Sequence, residues 1–280
     1  TVEGHELTAR KRGGDLKRRG GTLLELVVSF SLFSLIGIAL TLAFVMAADV
    51  WRNVSGSTDS SLNLRKARAV MMPDLKRTSF NAIGTSPGPS SLGAMDGDAI
   101  WFLSPVGPAT GLAVRKADGT LFWQRNILYY LTVPDNHSAT FGVNCSGSAD
   151  ADGYEQNCPH KVLVRKVIDG GVATVTTDEA SEEELLTASD ISAYLTRPAG
   201  FNTSTMNAEA GVTDVRLAAT SLLTLRARLA PDARWQREVS LRLAAVKIKT
   251  AERELSIGDT PLSQTRFTRS LDFSVFPGQP

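Results

Sequence analysis

The sequence predicts an α+β fold in which one long N-terminal helix packs on an antiparallel β-sheet domain. Residues 26–48 form an uncharged apolar run, and a helical pattern continues beyond it to residue 83. Residues 99–280 contain many short runs of β-branched and aromatic residues, which are typical of strands. Because a sheet must bury at least one face, we expect the amphipathic part of the helix to cover it.

The apolar run is long enough to cross a membrane. It has 23 residues, and a helix of that length spans about 35 Å, which covers the hydrocarbon core of a bilayer. The first twenty residues carry six basic and three acidic side chains, whereas the rest of the chain carries 24 and 26. Since basic flanks stay inside, the N-terminus is predicted to be cytoplasmic and the chain after Asp49 to lie outside. The formal net charge of the whole chain is +1, which gives no indication of a nucleic-acid partner.

The segment after the apolar run has the spacing of an amphipathic helix. Leu64, Met71 and Leu75 are separated by seven and four residues, which places them on one helical face. Pro73 is expected to kink or end the regular helix. The predicted N-terminal helix therefore covers residues 21–83, with the apolar run embedded in the membrane.

A linker and a β-rich domain follow the helix. Residues 84–98 are rich in Pro, Gly and Ser and are predicted to be the linker. Strands are predicted at residues 99–103, 121–124, 127–133, 161–168, 212–229 and 239–250. Ser181 and Glu184 have the spacing of a capping box, so a helix is predicted to begin there. The apolar face of this helix would consist of Leu185, Leu186, Ile191 and Leu195.

Glu25 stands at the cytoplasmic edge of the apolar run. A carboxylate near hydrocarbon is costly unless something neutralises it, so its presence there needs a reason. It ends the segment GGTLLE, residues 20–25, which directly follows Arg18 and Arg19. This segment resembles the processing motif of type IV prepilin-like proteins, in which a glycine ends a basic leader and a glutamate is the fifth residue after the cut.

The resemblance implies a processing and assembly pathway. A prepilin peptidase would remove residues 1–20, the cytoplasmic leader, by cutting between Gly20 and Gly21. The freed amine of Gly21 would be N-methylated, although family members usually have an aromatic residue at that position. In the family the glutamate, here Glu25, meets the N-terminal ammonium of a neighbouring subunit. Two opposite charges in a low-dielectric filament core offset part of each other's desolvation cost.

Two further segments resemble J-type minor pseudopilins of type II secretion. Residues 64–77, LRKARAVMMPDLKR, are similar to the second half of their helix, and the order of ILYYLTV before VLVRKVID is similar to their outer domain. The resemblance implies a non-enzymatic minor pilin or pseudopilin, anchored in the inner membrane with a periplasmic domain and then built into a filament. Its partners would be prepilin peptidase and other pilin or pseudopilin subunits. Type II secretion, a type IV pilus and a competence filament are all compatible with these segments.

The chain has two cysteines, Cys145 and Cys158, both in a loop-like stretch. In an exported domain an even count predicts a disulfide between them, which stabilises a fold by roughly 2–4 kcal/mol. In a cytosolic protein they would be free thiols. Together with His160 they also offer part of a zinc site, but their spacing matches none of the common zinc patterns.

The remaining motifs give little support for chemistry. Asp150 and Asp152 precede Gly153, and alternating oxygen ligands before a glycine turn are typical of calcium loops. The bidentate glutamate that such loops carry later is missing, so a solvated turn is favoured and no metal or cofactor is predicted. Five aromatic residues are predicted to pack in the strand core and not to form a binding face, namely Trp101, Phe122, Trp123, Tyr129 and Tyr130.

Two other functions stay open. A plain single-pass anchor would carry a periplasmic binding or sensor domain that does not polymerise, but this leaves the GGTLLE segment unexplained. A secretory signal peptide, cut near residues 45–47, would release a soluble enzyme. Its apolar core would exceed the usual length of about 7–15 residues, and no nucleophile elbow or phosphate loop occurs in the sequence. An enzyme is therefore not predicted.

Overall fold

The computed structural model describes residues 22–88, 97–136, 139–140, 158, 160–171, 173–175, 177–231, 237–245 and 269–278. The chain divides into two compact units, Thr1–Trp51 and Arg52–Pro280. The first unit holds the apolar part of the N-terminal helix, and the second holds the rest of that helix and a β-sheet. The fold class is α+β, as predicted.

Helix α1, Leu23–Arg77, runs without interruption. Within the second unit its buried residues form a stripe at spacings of three and four, made of Gly56, Ser60, Leu64, Ala67, Met71 and Leu75. This confirms the predicted apolar face. The helix does not end at Pro73. Because proline has no N–H, the carbonyl of Ala69 loses its helical partner, but Ala69 and Pro73 are both exposed and water can bind that carbonyl instead. It ends at Arg77 and not at residue 83, where the first strand has already begun.

Seven strands form one antiparallel sheet in which each strand pairs with the next along the chain. They are β1 Ile83–Ser86, β2 Ala99–Ser104, β3 Arg125–Thr132, β4 Lys161–Ile168, β5 Val212–Pro231, β6 Arg237–Ala245 and β7 Arg269–Val275. Five of the six predicted strands correspond to β2–β6, with residues 246–250 outside the described residues. The predicted strand at 121–124 is wrong, since Leu121 makes only an isolated bridge with Arg115.

Strand β1 lies in the segment that was predicted to be a linker, and β7 was not predicted as a strand. Asp98, at the end of that linker, is also part of the folded domain. Its backbone N–H donates to the carbonyl of Leu225 at 2.8 Å. Strand β5 pairs with β4 along its first part and with β6 along its second. The register shifts between Leu222 and Thr224, and Ser221 has a φ of 55°, which marks a bulge where the strand changes partner.

The chain between β4 and β5, residues 169–211, forms a segment that we call the insertion. Its two ends meet, because the Asp169 N–H donates to the carbonyl of Gly211 at 2.7 Å. Gly211 has a φ of 77°, and a Cβ there would come within 2.7 Å of the Asp169 carbonyl oxygen. This position therefore requires glycine. The insertion contains a 3-10 turn, Glu179–Ser181, and two short helices, α2 Ala188–Tyr194 and α3 Ser204–Asn207.

The predicted helix start at Ser181 is wrong. Residues 182–187 are not helical, because the backbone and carboxylates of this stretch are hydrogen-bonded to other parts of the domain. Helix α2 begins later, after Thr187, and Thr187 and Asp190 form its capping box. Ile191 and Leu195 are nevertheless buried, as the predicted apolar face requires.

The middle strands of the sheet are covered on both faces. Phe102 and Tyr129 point to the face that packs against α1. Trp101 and Tyr130, their neighbours in sequence, point to the opposite face and pack against the insertion, as strand alternation requires. Of the five aromatic residues predicted to lie in the core, four are buried and Trp123 is half-buried.

Candidate functional site

Glu25 is the one predicted processing or assembly residue within the described part of the chain, since Gly20 and Gly21 lie outside it. Its carboxylate Oε2 accepts a hydrogen bond from the Thr22 N–H at 2.9 Å. In return, the Glu25 N–H donates to the Thr22 hydroxyl at 3.4 Å. This reciprocal pair is a capping box, and it satisfies backbone donors that the helix itself cannot. The Thr-x-x-Glu spacing is visible in the sequence, but its role in starting the helix was not predicted.

The hydroxyl groups of the apolar run are satisfied within the helix. Ser29, Ser34 and Thr41 each donate to the carbonyl four residues earlier, at 2.7–2.8 Å. Ser31 does the same to Val27 at 2.9 Å. Hydrocarbon offers no hydrogen-bond partner, so internal bonds of this kind are what a membrane helix needs.

The first unit exposes a continuous apolar surface. Large side chains from Leu23 to Met46 are between about half and four-fifths exposed, with Val28 at 48% and Leu23 at 84%. Among the described residues, α1 is the one helix long and apolar enough to cross a membrane. A surface this large and this apolar is normally covered by lipid or by another protein. The finding supports single-pass anchoring near the N-terminus.

The predicted disulfide and metal residues are only partly within the described chain. Cys158 is fully buried and disulfide-bonded, whereas its predicted partner Cys145 lies outside the described residues, so the pairing stays a prediction. The calcium candidates Asp150 and Asp152 also lie outside them. His160 is buried. In the part of the chain that the structure describes, no group of three or more His, Cys, Asp or Glu side chains could hold a metal ion.

Glu183 is a buried carboxyl that fastens the insertion to the sheet. Only 4% of its surface is exposed. Its Oε1 accepts hydrogen bonds from Asn126 Nδ2 and from the Gly170 N–H, both at 2.8 Å. Burial raises the pKa of Glu183, and the neighbouring Asp169 carboxyl raises it further, while the bonds from Gly170 and Asn126 act in the opposite direction. A protonated Glu183 can donate to Asp169, whose Oδ2 lies 3.2 Å from Arg125 Nη2.

The same stretch borders a cavity on the surface of the second unit. The cavity has a volume of about 320 Å³ and is lined by residues 180–187 together with Gly170, Gly171 and Asp190. Glu182, on its wall, forms an ion pair with Lys116 at 2.5 Å. The Trp101 indole N–H donates to the carbonyl of Leu186 at 2.7 Å, which holds the cavity wall on the sheet.

Lys166 is a second buried anchor of the insertion. Its Nζ donates to the Tyr194 carbonyl at 2.7 Å, the Thr196 hydroxyl at 2.9 Å and Glu209 Oε2 at 2.5 Å. Three acceptors use all three donors of an ammonium group. Burial lowers the pKa of Lys166, and the bond to Glu209 opposes that shift. With every donor engaged, this lysine is a structural group and not a free nucleophile.

Helix α1 is joined to the sheet by a polar contact within its apolar interface. Asp74 Oδ2 accepts a hydrogen bond from the Tyr129 hydroxyl at 2.6 Å and another from Arg165 Nε at 2.8 Å. Burial raises the pKa of Tyr129 well above its ordinary value, and the Asp74 charge adds to that effect. The phenol therefore stays protonated and remains a donor. Asp74 is 55 positions from Tyr129 and 91 positions from Arg165 in the sequence, so no local sequence signal indicates these contacts.

Comparison with known proteins identifies no relative of this chain. No family model, curated protein or solved structure matches the chain. The candidate sites are therefore defined by the residues of this chain alone. The amino end of α1 combines a capped glutamate with an exposed apolar surface, and the second unit combines buried polar anchors with a surface cavity.

Proposed function

We propose that this chain is a prepilin-like subunit, a minor pilin or pseudopilin of a type II secretion pseudopilus or type IV pilus. A prepilin peptidase cuts it between Gly20 and Gly21, and it serves as a structural and assembly subunit without enzymatic activity. It is anchored in the inner membrane with the second unit in the periplasm before it enters the filament. The large second unit favours a minor subunit over a repeating major one, because bulk limits tight helical packing.

One observation carries the proposal, namely a glutamate at the start of an exposed apolar helix. In the described chain Glu25 forms no ion pair, and its Oε1 has no hydrogen-bond partner. A carboxylate at the edge of hydrocarbon is stabilised by a nearby cation. The ammonium that cleavage creates on the Gly21 of a neighbouring subunit would supply that cation while apolar helices pack together.

Cleavage is tested by co-expressing the chain with a prepilin peptidase and measuring its intact mass. The expected product is shorter by residues 1–20. Gly20→Val is expected to block cleavage, whereas Gly14→Val, a matched change inside the leader, is expected to leave it intact. An uncut wild-type chain, or a cut after Ala47, would reject the proposal.

The role of the Glu25 charge is tested by separating it from the capping box. Glu25→Gln keeps the box, since glutamine serves at this position of the motif, but removes the charge. Thr22→Ala removes the cap and keeps the charge. We expect normal membrane insertion for both variants, loss of filament incorporation for Glu25→Gln, and a smaller loss for Thr22→Ala. Normal incorporation of Glu25→Gln would show that charge pairing plays no part.

The second candidate function is an anchored periplasmic binding or sensor domain that does not polymerise. The cavity beside residues 180–187 favours it, because ligand sites are usually concave. Crosslinking between single cysteines in the apolar helices of different subunits distinguishes the two functions. A subunit of a filament gives such crosslinks after cleavage, and an isolated anchor does not.

A further inference from the structure

The part of α1 that packs on the sheet is basic on its outward side. Between Ser60 and Arg77 the helix has five basic residues and one acidic residue, Asp74. Asp74 is engaged by Tyr129 and Arg165 and does not neutralise the others. The five basic side chains are all exposed and form the basic surface of α1, namely Arg65, Lys66, Arg68, Lys76 and Arg77. Arg68 stacks over Phe273 at 5.7 Å, and among the described residues none of the five forms an ion pair.

The insertion has the opposite charge. Residues 169–211 contain eight acidic side chains and one basic side chain, Arg197, which gives this segment a net charge of −7. Half of the acidic side chains are buried or partly buried and hold the insertion in place, as Glu183 and Glu209 do. The other four are exposed and form the acidic surface of the insertion, namely Asp178, Glu179, Glu184 and Asp190.

These two surfaces lie on opposite sides of the sheet. Helix α1 packs on the face that contains Phe102 and Tyr129, and the insertion packs on the face that contains Trp101 and Tyr130. One copy of the chain therefore presents a basic surface on one side and an acidic surface on the other. Such surfaces cannot neutralise each other within a copy, but they are complementary between two copies in the same orientation.

We propose that the basic surface of α1 binds the acidic surface of the insertion on a second copy of this chain. The contact is head-to-tail, so it joins two copies in the same orientation and leaves one of the two surfaces of each copy unoccupied. The inference rests on the proposed function and adds that two copies of this minor subunit are neighbours in the filament. Exposed ion pairs each add little affinity, so these surfaces select the partner and its orientation. The packing of the apolar helices supplies the attraction.

The contact is tested in membranes by disulfide crosslinking of the full chain. One copy carries Lys66→Cys and the other carries Glu184→Cys, and the two have different tags. We expect a disulfide-linked dimer when the two are co-expressed, and no dimer above the background of the unmodified chain when either is expressed alone. Raising the ionic strength before oxidation is expected to lower the yield, because salt screens exposed charges.

Charge reversal tests whether electrostatics produce the contact. Arg65→Glu in the Lys66→Cys copy is expected to lower the dimer yield about fivefold, and Glu179→Lys in the other copy is expected to restore it. Arg228→Glu is the matched control. Arg228 is exposed and forms no ion pair among the described residues. Its neighbours Ala227 and Leu229 pack towards α1, so it points away from the basic surface. Its reversal is expected to leave the yield unchanged.

A second pair of copies, each with Ala39→Cys in the apolar helix, separates this inference from the proposed function. If the Ala39→Cys copies crosslink and the Lys66→Cys and Glu184→Cys copies do not, the head-to-tail contact is wrong while filament assembly stands. If neither pair crosslinks, the head-to-tail contact is wrong, and the proposed function, which also allows packing against other subunits, is decided by the cleavage and Glu25→Gln experiments. A crosslinked product that joins this chain to a different protein, and not to its second copy, also overturns the inference.

Discussion

Glu183→Gln is expected to remove a pH dependence from the stability of the insertion. Burial raises the pKa of Glu183 in the folded chain, so the folded state binds this proton more tightly than the unfolded state does. The stabilisation from Glu183 is therefore complete below the ordinary carboxyl pKa and is lost as the pH rises through the raised pKa of the folded state. Above that pH, Glu183 carries a buried negative charge near Asp169, which is ion-paired with Arg125.

The size of the effect follows from the two hydrogen bonds of Glu183 Oε1. Glutamine keeps an acceptor for Asn126 and Gly170 and places an N–H₂ donor toward Asp169, so Glu183→Gln is expected to change stability by less than about 1 kcal/mol in acid. Glu183→Ala removes the acceptor. Asn126 is fully buried and would lose a partner that water cannot replace, at about 1–3 kcal/mol. Gly170 is exposed, and its N–H can bind water instead.

Hydrogen exchange of the full chain in detergent micelles measures this effect locally. The reporting amides are those of Glu183, which donates to the Trp123 carbonyl at 3.1 Å, and Leu186, which donates to Asn126 Oδ1 at 3.2 Å. After correction for intrinsic exchange, their protection in the wild type is expected to fall as the pH rises above the ordinary range of a glutamate carboxyl. In Glu183→Gln it is expected to stay level.

Glu184→Gln is the matched control for this experiment. Glu184 is the next residue and is exposed. Its backbone carbonyl accepts a hydrogen bond from Asn126, and its side chain has no hydrogen bond among the described residues. Its substitution is expected to leave the wild-type pH dependence in place. The proposed role of Glu183 is contradicted if Glu183→Gln loses protection with pH as the wild type does, or if this variant is as unstable in acid as Glu183→Ala.

Three further predictions concern the contacts that hold the second unit together. Met71 is fully buried between α1 and the sheet. Met71→Ala is expected to lower the free energy of unfolding by about 2–5 kcal/mol, measured by denaturant unfolding followed by tryptophan fluorescence. Tyr129→Phe removes one of the two hydrogen bonds to Asp74 and is expected to lower the free energy of unfolding by about 1–3 kcal/mol in the same assay. A change near zero would argue against this contact. Lys166→Met leaves Glu209 without its buried cation. Proteolysis is therefore expected to cut the insertion faster in this variant than in the wild type. Equal rates of cleavage would contradict the anchoring role of Lys166.

Features with local signals could be predicted from the sequence. The strand Lys161–Ile168 has the predicted bounds, because its run of β-branched residues is bounded by polar or turn-forming residues on both sides. The buried face of α1 was likewise predictable from the spacing of Leu64, Met71 and Leu75. In both cases neighbouring residues alone decide the structure, so no knowledge of distant contacts was needed.

The insertion could not be predicted because distant residues decide its structure. Ser181 and Glu184 have the spacing of a capping box, but the Ser181 hydroxyl is hydrogen-bonded to the backbone of Val175. The side chain of Glu183 is held by Asn126, 57 positions away. These contacts fix the backbone in a non-helical form, and tertiary structure overrides local propensity. The buried position of Lys166 was hidden for the same reason, since a lysine in a strand is usually solvated.

Glu25 is the residue at which local structure and proposed function meet. As part of a capping box it has a structural reason to stand three residues after Thr22, and that reason alone would explain a glutamine equally well. It does not explain a charge. Next to an uncharged apolar run, a carboxylate costs free energy that an amide would avoid, and the cap uses only one of its two oxygens within the described chain. The charge is therefore what the assembly proposal must account for, which is why Glu25→Gln tests that proposal more directly than Glu25→Ala, a change that removes cap and charge together.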